Sequence, residues 1–321
     1  MAKVLITARS VAANKEGKAI LEAAGHEIMT HIGDRVWTED EMVRIIPGID
    51  AMIVGLDEIS GKVIEAGAPT LKIIARNGVG YNKVDIEAAE KFAIPVTVTP
   101  GSNTISVCEL VFGLMLSLAR VIPVQDAQVR LGGWKRNLGC ELHGKVLGVL
   151  GTGNIGSEVI KRAHAFGMKI IAFDVWQKQE LCQDYNSRYL SLEEVLKEAD
   201  FLTLHLPVMP DTKNLINERT LGMMKKTAFI INTARGELID EQDLYAALKA
   251  GKIAGYGADT LTQEPPGQNH PLFTLPNVVL TPHCGAYTGE AVTRCSVMAA
   301  QEVVRVLSGQ EPMYAVAVKK A

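Results

Sequence analysis

Short apolar segments alternate with helix-like segments along the first hundred residues of the chain. The apolar segments that predict β-strands are Val4–Thr7, Ala51–Val54, Leu71–Ala75 and Val96–Val98. The segments between them that predict helices are Lys15–Ala24 before Gly25, a stretch opened by the capping box Thr38-x-x-Glu41, and Asp85–Phe92. Strands that alternate with helices are typical of a parallel sheet covered by helices on both faces.

The same alternation resumes after Pro100-Gly101-Ser102-Asn103, a turn-rich stretch that indicates a domain boundary. Two helices are predicted after it, over about Thr104–Leu118 and about Pro123–Leu131. The second series of predicted strands is Val146–Leu150, Lys169–Phe173, Phe201–His205, Ala228–Asn232, Gly255–Ala258 and Val278–Leu280. Ser191 and Asp240 are predicted to open helices between them, and a long helix over Thr288–Leu307 follows. The pattern predicts the fold class α/β, with two doubly wound parallel-sheet domains.

Composition and charge narrow the range of partners. Apolar residues make up 47% of the chain, charged residues 21%, and the formal net charge is −3. Because no basic stripe is present, we expect neither a nucleic-acid nor a membrane partner. The N-terminal residues are expected to form a strand rather than a signal peptide, and the apolar run Leu110–Ala119 is expected to be a buried helix.

The spacing of the cysteines and the absence of several short motifs argue against some classes of metal and catalytic site. The five cysteines are scattered and no pair has C-x-x-C spacing, which favours a reduced, cytoplasmic protein. The sequence contains no H-E-x-x-H zinc motif, no Walker A loop and no G-x-S-x-G elbow. We therefore expect no metal site.

A dinucleotide-binding fingerprint follows the strand Val146–Leu150. It reads Gly151-Thr152-Gly153-Asn154-Ile155-Gly156, and a helical stretch and a second strand come after it. Gly151 permits a tight turn, Gly153 lets the backbone approach a pyrophosphate, and Gly156 lets the helix pack closely on the strand. The N-terminus of that helix, at Asn154 and Ile155, offers free N–H groups to the phosphates.

Asp174 ends the second strand of this unit and decides the expected cofactor. A carboxylate at this position accepts hydrogen bonds from the adenosine ribose and repels a 2′-phosphate. Val175 and Trp176 supply no arginine that could hold such a phosphate, although Lys178 is close by. The cofactor expected from these residues is NAD.

Four further segments resemble a known family. They read Gly78-Val79-Gly80-Tyr81-Asn82-Lys83-Val84-Asp85, Asn232-Thr233-Ala234-Arg235-Gly236, Asp259-Thr260-Leu261-Thr262-Gln263-Glu264-Pro265 and Thr281-Pro282-His283-Cys284-Gly285-Ala286. Together with the fingerprint they are similar, in order and spacing, to the D-isomer-specific 2-hydroxyacid dehydrogenases. Within that family the chain looks most like D-3-phosphoglycerate dehydrogenases that lack the C-terminal regulatory domain.

Hydride transfer at C2 of a 2-hydroxy acid requires a base for the hydroxyl proton, a group that orients that base, and a cation for the substrate carboxylate. The resemblance assigns these roles to His283, Glu264 and Arg235 respectively. It also implies that backbone N–H groups of Asn77, Gly78, Val79 and Gly80 hold the substrate carboxylate. Further expected cofactor-lining residues are Asp259, near the nicotinamide, and Asn103, Pro207 and Thr233. His205 and Cys284 are expected to be structural.

The resemblance also implies a domain arrangement. Residues 1–99, completed by residues 288–321, would form a flavodoxin-like substrate-binding domain, and residues 100–287 would form the NAD-binding Rossmann domain. The active site would lie in a cleft that closes to exclude water. The segments Thr104–Leu118 and Val121–Trp134 are rich in apolar residues, and the family uses this region for a two-fold contact, so we expect a homodimer.

Two other functions remain open at this point. One is a glyoxylate or hydroxypyruvate reductase of the same fold, and the other is an NAD-sensing scaffold similar to the transcriptional corepressors that share it. The related phosphoglycerate dehydrogenases commonly have an arginine after the third strand, where it meets the substrate phosphate, but Gly55 stands there in this chain. Because Asp57 and Glu58 add negative charge nearby, we expect a small unphosphorylated 2-oxo acid to be at least as good a substrate.

Overall fold

The structure, a computed structural model, describes residues 1–30 and 35–316. The chain divides into two compact units. Unit 1 consists of residues 1–103 and the chain from Ala286 onward, and unit 2 is Thr104–Gly285. The domain boundaries predicted at 99/100 and 287/288 differ from these bounds by a few residues. The last five positions of the predicted segment 288–321 lie outside the described residues.

Strands in the described part of the chain form one parallel sheet in each unit. The strands are β1 (Lys3–Ile6), β2 (Glu27–Thr30), β3 (Ala51–Val54), β4 (Ile73–Arg76), β5 (Val96–Thr97), β6 (Val146–Leu150), β7 (Lys169–Phe173), β8 (Ser187–Tyr189), β9 (Phe201–Leu204), β10 (Phe229–Asn232), β11 (Gly255–Ala258) and β12 (Val278–Leu280). Their order is β2-β1-β3-β4-β5 in unit 1 and β12-β11-β10-β9-β6-β7-β8 in unit 2.

Helices connect the strands. They are α1 (Arg9–Ala13), α2 (Lys15–Ala23), α3 (Glu39–Ile45), α4 (Gly61–Gly67), α5 (Ile86–Lys91), α6 (Thr104–Ala119), α7 (Ile122–Arg130), α8 (Asn154–Ala165), α9 (Gln179–Tyr185), α10 (Leu192–Glu198), α11 (Glu218–Leu221), α12 (Glu241–Lys249) and α13 (Gly289–Leu307). The capping boxes predicted at Thr38 and Ser191 open α3 and α10, and the Asp240 side chain caps α12.

The two strand orders confirm the predicted fold class. Unit 1 has the flavodoxin-like order, with the first strand between the second and the third. In unit 2, β6 lies between β7 and β9, which is the Rossmann order with one strand added at the far edge. Both arrangements reverse their winding at the first strand, and ligands of open α/β sheets bind at the carboxyl ends of the strands around that point.

Two edge strands, β2 and β8, were not expected from the sequence. They have four and three residues, and residues at both ends of β2 are exposed. Their sequences, Glu-Ile-Met-Thr and Ser-Arg-Tyr, are short and partly polar, whereas the edge strands β5 and β12 lie in mostly apolar segments and were predicted. Interior strands such as β3 and β11 are fully buried and have the predicted bounds.

Helix α6 is the central helix of the unit 2 core. Its buried side includes Val111, Met115 and Ala119, which belong to the same hydrophobic cluster as Leu147 and Val149 of the fingerprint strand. Among the described residues, no helix taken alone is long and apolar enough to cross a membrane. The α6–α7 pair reaches that length and composition only when both helices are joined across a bend of 64°.

A buried carboxylate fastens the C-terminal segment to unit 1. Glu302 of α13 is 2% exposed, and its Oε2 accepts hydrogen bonds from the N–H groups of Met313 at 2.9 Å and Tyr314 at 3.1 Å. The residues that follow pair antiparallel with β5, where Ala315 lies opposite Thr97. Glu302 therefore holds the short segment that covers the edge of the sheet.

We expect Glu302→Ala to lower the free energy of unfolding by about 1–3 kcal/mol, because two backbone donors lose their buried acceptor. Glu302→Gln should cost less, since its carbonyl oxygen can still accept these bonds. Thermal unfolding of both variants, with Gln301→Ala at an exposed position of the same helix as control, measures the effect. Equal midpoints for Glu302→Ala and Gln301→Ala would contradict the assigned role.

Candidate active site

Most of the predicted site residues lie at the carboxyl end of the unit 2 sheet. The fingerprint follows β6, Asp174 follows β7 and Pro207 follows β9. Thr233 and Arg235 follow β10, Asp259 follows β11, and His283 follows β12. Because parallel strands end at the same edge, residues that are far apart in sequence lie at one edge of the unit.

The three fingerprint glycines have the geometry that their roles require. Gly151 has φ of +95°, and a Cβ there would lie 2.7 Å from the carbonyl oxygen of His205. A Cβ at Gly156 would collide with the carbonyl oxygen of Gly151, so helix and strand are in direct backbone contact. A Cβ at Gly153 would meet nothing within 4 Å. The backbone at Gly153 is thus open to an approaching pyrophosphate, next to the N-terminus of α8.

Asp174 is held in place by the fingerprint loop. Its Oδ2 accepts hydrogen bonds from the N–H group and from Oγ1 of Thr152, and its Oδ1 accepts the N–H group of Trp176 at 3.0 Å. The hydroxyl of Tyr189 lies 2.9 Å from Thr152 Oγ1 and accepts the Lys178 N–H group at 3.0 Å. These contacts fix the carboxylate beside the open glycine loop, which suits a ribose of NAD.

Lys178, which could have favoured a 2′-phosphate, is directed elsewhere. Its Nζ donates to Oγ of Ser157 at 2.9 Å, on the first turn of α8. Ser157 is 8% exposed and in turn donates to the Thr152 carbonyl oxygen at 2.8 Å. The ammonium group therefore has an intramolecular partner within unit 2.

His283 and Glu264 form a hydrogen-bonded pair. The distance from Nδ1 of His283 to Oε2 of Glu264 is 2.6 Å, and about a third of each side chain is exposed. Burial raises the pKa of the Glu264 carboxyl, but its bonds with His283 and the Leu261 N–H group and the charge of Arg235 outweigh this and lower the pKa. Glu264 therefore stays ionised and accepts the Nδ1 proton, which leaves Nε2 of His283 for chemistry.

The backbone at His283 has a conformation that non-glycine residues rarely adopt. Its φ is +50°, in the left-handed region. Asp259, 3% exposed, holds this turn with its carboxylate, which accepts Oγ1 of Thr281 at 2.6 Å and the N–H groups of Cys284 at 2.9 Å and Gly285 at 2.7 Å. The His283 N–H group also donates to the Asp259 carbonyl oxygen at 2.8 Å. Asp259, expected to contact the nicotinamide, thus has a structural task within unit 2.

Arg235 lies on a loop that the side chain of Asn232 holds. The Asn232 amide nitrogen donates to the Arg235 carbonyl oxygen at 2.7 Å, and its Oδ1 accepts the Ala234 N–H group at 3.0 Å. Asn232 is fully buried at the end of β10. The neighbouring Thr233 is 8% exposed, and its Oγ1 has no hydrogen-bond partner among the described residues. An unsatisfied buried hydroxyl at this edge is available to a cofactor.

The other predicted cofactor residues lie on separate segments of the chain. Asn154 is exposed at the first position of α8, and Ile155 packs partly on the core below. Pro207 lies in an exposed segment after β9, where its carbonyl oxygen accepts Oγ1 of Thr212 at 2.6 Å. Asn103 is the last residue of the first segment of unit 1, directly before α6.

The predicted substrate loop is in unit 1, after β4. The N–H groups of Asn77 and Gly78 already donate, to the carbonyl oxygens of Val54 and Arg76. For the N–H groups of Val79 and Gly80, the described residues supply no acceptor. Only the second half of the loop therefore has free donors for a carboxylate.

His205 and Cys284 have the properties of structural residues. Desolvation by burial lowers the pKa of His205 to about 3, and Nε2 of its neutral ring lies 2.9 Å from Oγ1 of Thr203. Burial and the nearby Asp259 carboxylate raise the pKa of the Cys284 thiol. A thiol kept protonated is a poor nucleophile.

The sequence pattern indicates no role for Thr152 or for the side chain of Asn232, and the family resemblance implies only a cofactor contact for Asp259. Each is a polar residue at or just after a strand end, and no local pattern distinguishes it from an ordinary loop residue. Their tasks become visible only through contacts with residues up to 26 positions away.

The chain is similar to several known proteins. Residues 112–285 match the family profile described as D-isomer specific 2-hydroxyacid dehydrogenase, NAD binding domain. The chain is 42% identical over 315 residues to a D-3-phosphoglycerate dehydrogenase of Methanocaldococcus jannaschii, covering 97% of this chain and 58% of that protein. It is 41% identical over 274 residues to a hydroxypyruvate reductase of Thermotoga maritima, covering 84% of this chain and 88% of that protein.

A solved structure, that of the TT0316 protein from Thermus thermophilus, superimposes with a TM-score of 0.90 at 37% identity and covers 98% of this chain and 100% of that chain. The present chain spans somewhat more than half of the phosphoglycerate dehydrogenase that it matches and most of the reductase. The predicted resemblance and the NAD cofactor are thereby confirmed. The chain belongs to the D-isomer specific 2-hydroxyacid dehydrogenase family and carries the NAD-binding domain of that family.

Proposed function

We propose that the protein is an NAD-dependent D-2-hydroxyacid dehydrogenase that transfers a hydride between NAD(H) and C2 of a small 2-hydroxy or 2-oxo acid. The observation that carries this proposal is the 2.6 Å pair of His283 and Glu264 at the sheet edge that also bears the open fingerprint loop. An acid/base pair beside a dinucleotide site is what oxidation of a secondary alcohol requires.

NAD, when bound, accepts or supplies the hydride at C2, and the side chains handle the proton and the charges. His283 would take the 2-hydroxyl proton on Nε2 during oxidation and return it to the 2-oxo oxygen during reduction. Glu264, ionised and bonded to Nδ1, fixes the ring and stabilises the imidazolium form. The oxygen on C2 of the product is therefore uncharged, both after oxidation and after reduction.

Arg235 would bind the substrate carboxylate with its forked donors and polarise the adjacent carbonyl group. We propose that the free N–H groups of Val79 and Gly80 contribute to binding the same carboxylate, while Asn77 and Gly78 shape the loop. For the cofactor, Gly153 and the α8 N-terminus at Asn154 would hold the pyrophosphate, and Asp174 the ribose.

We also propose a cytoplasmic homodimer. Helix α7 has no buried residue in the single chain. Large apolar side chains on α7 and the segment after it are strongly exposed: Ile122 49%, Val129 51%, Leu131 89%, Trp134 82% and Leu138 100%. An isologous contact with a second copy would cover them. All five cysteines are free thiols, which suits a reducing compartment.

The test of the proposed base is His283→Gln. We expect kcat to fall by about 10²–10⁴-fold with binding of NADH nearly unchanged, because the ring acts on the proton and not on the dinucleotide. Steady-state rates together with a fluorescence titration of NADH measure the two effects. His143→Gln, at an exposed position ahead of β6, is the matched control. A His283→Gln variant that keeps half of the wild-type kcat would refute the assignment.

The absence of a cation after β3 bears on the choice of substrate. A Cβ at Gly55 would lie 3.1 Å from Cα of Ala8, so α1 and the chain after β3 are in backbone contact and leave little room for a side chain. Asp57, 3% exposed, accepts Oγ1 of Thr7 at 2.6 Å close to this point. Glycine at position 55 supplies no charge for a phosphate and Asp57 is a carboxylate nearby, which supports the proposal of activity on a small unphosphorylated 2-oxo acid such as hydroxypyruvate or glyoxylate.

We therefore expect kcat/KM with NADH for hydroxypyruvate or glyoxylate to equal or exceed that for 3-phosphohydroxypyruvate. Initial rates for the three acids at limiting concentration decide the point. A preference of more than about 100-fold for the phosphorylated acid, roughly 2.7 kcal/mol of differential transition-state binding, would show that other cations bind the phosphate.

A further inference from the structure

The segment that carries Glu264 contains no helix or strand between the end of β11 and His270. Glu264 must nevertheless keep its oxygen 2.6 Å from His283 Nδ1. Such a segment needs bonds to a rigid element, because loops without them open locally at low free energy.

Glu241, the first residue of α12, supplies such bonds. Its Oε1 accepts the N–H group of Thr262 at 2.8 Å, and its Oε2 lies 3.2 Å from Nε2 of His270. The exposed fractions of the Glu241 and His270 side chains are 20% and 12%. Thr262 precedes Glu264 and His270 follows it, so one mostly buried carboxylate is bonded to both ends of the segment.

The same segment also packs against the loop of Arg235. A Cβ at Gly236 would collide with the backbone of Leu261 and Thr262, so the two chains are in direct contact there. Glu264 itself accepts the Leu261 N–H group on Oε1 at 3.1 Å. The consecutive N–H groups of Leu261 and Thr262 therefore donate to Glu264 and to Glu241 respectively.

We propose that Glu241, together with His270, is a positioning residue for the Glu264–His283 pair. Its hydrogen bonds among the described residues are to Thr262 and His270, and it acts through the backbone at Thr262. The inference rests on the proposed function, since it gives Glu241 a task in that reaction. A carboxylate that accepts a backbone N–H group forms a charge-assisted bond of well-defined length, which suits this task.

The experiment compares three variants of the whole protein. Glu241→Ala removes both bonds to the segment, and Glu241→Gln keeps an oxygen for the Thr262 N–H group. Asp240→Ala is the matched control, because Asp240 caps the same helix through the N–H groups of Gln242 and Asp243 at 3.1 Å each and makes no side-chain bond to the segment. It weakens α12 without releasing the loop.

The readouts are kcat, the dissociation constant of NADH, and hydrogen exchange of the amides at Leu261 and Thr262. In Glu241→Ala we expect kcat to fall about 10- to 100-fold, with NADH binding within about twofold of wild type, because a displacement of the order of 1 Å is enough for such a loss. Exchange at the two amides should speed up. Glu241→Gln should recover most of the rate, and Asp240→Ala should leave kcat within about twofold of wild type.

The inference is overturned if Glu241→Ala keeps kcat within about twofold of wild type, if Asp240→Ala loses as much activity, or if NADH affinity falls in parallel with kcat. It is also overturned if exchange at Leu261 and Thr262 is unchanged. If wild-type protein reduces no 2-oxo acid, the proposed function fails by itself. The exchange measurement then still decides whether Glu241 holds the segment.

Discussion

The hydrogen bond between Nδ1 of His283 and the Glu264 carboxylate is the interaction on which the proposed chemistry depends. It fixes which nitrogen of the ring carries a proton and which is left for the substrate. The two residues lie on separate loops, and the backbone of each loop is hydrogen-bonded to a carboxylate. Asp259 holds the left-handed turn at His283, and Glu241 lies against the segment that carries Glu264. Buried carboxylates bonded to backbone N–H groups thus take the place of regular secondary structure around the pair.

A second constraint comes from the parallel sheet. Strands that run in one direction end at a common edge, and the unit 2 order places β6 between β9 and β7, where the winding reverses. The fingerprint follows β6, with backbone contact at Gly156 and open space at Gly153. Residues after β10, β11 and β12 complete the edge. The strand order of the sheet therefore brings the site residues to one edge, although some of the segments that carry them are more than a hundred residues apart in the sequence.

The sequence predicts these features to different degrees, for physical reasons. Interior strands such as β3 and β11 are buried on both faces, so an unbroken apolar run marks their bounds. The fingerprint is local, and its glycines have roles that can be derived from backbone sterics alone. The strands β2 and β8 give no comparable signal because their sequences are short and partly polar. The contacts of Glu241, at the start of α12, and of Asp259, just after β11, could not be derived, since the partners of a carboxylate are determined only once the chain has folded.

The proposed chemistry moves a hydride to C2 of a small acid, whereas a sensing scaffold would only bind NAD. The most direct test incubates the wild-type protein with hydroxypyruvate or glyoxylate and NADH deuterated at both C4 positions of the nicotinamide ring. Mass spectrometry and chiral chromatography then analyse the acids that form. We expect the product to carry deuterium at C2 and, where C2 is a stereocentre, to have the D configuration. Bound NADH without deuterium in any product, or a product of L configuration, would contradict the proposed chemistry.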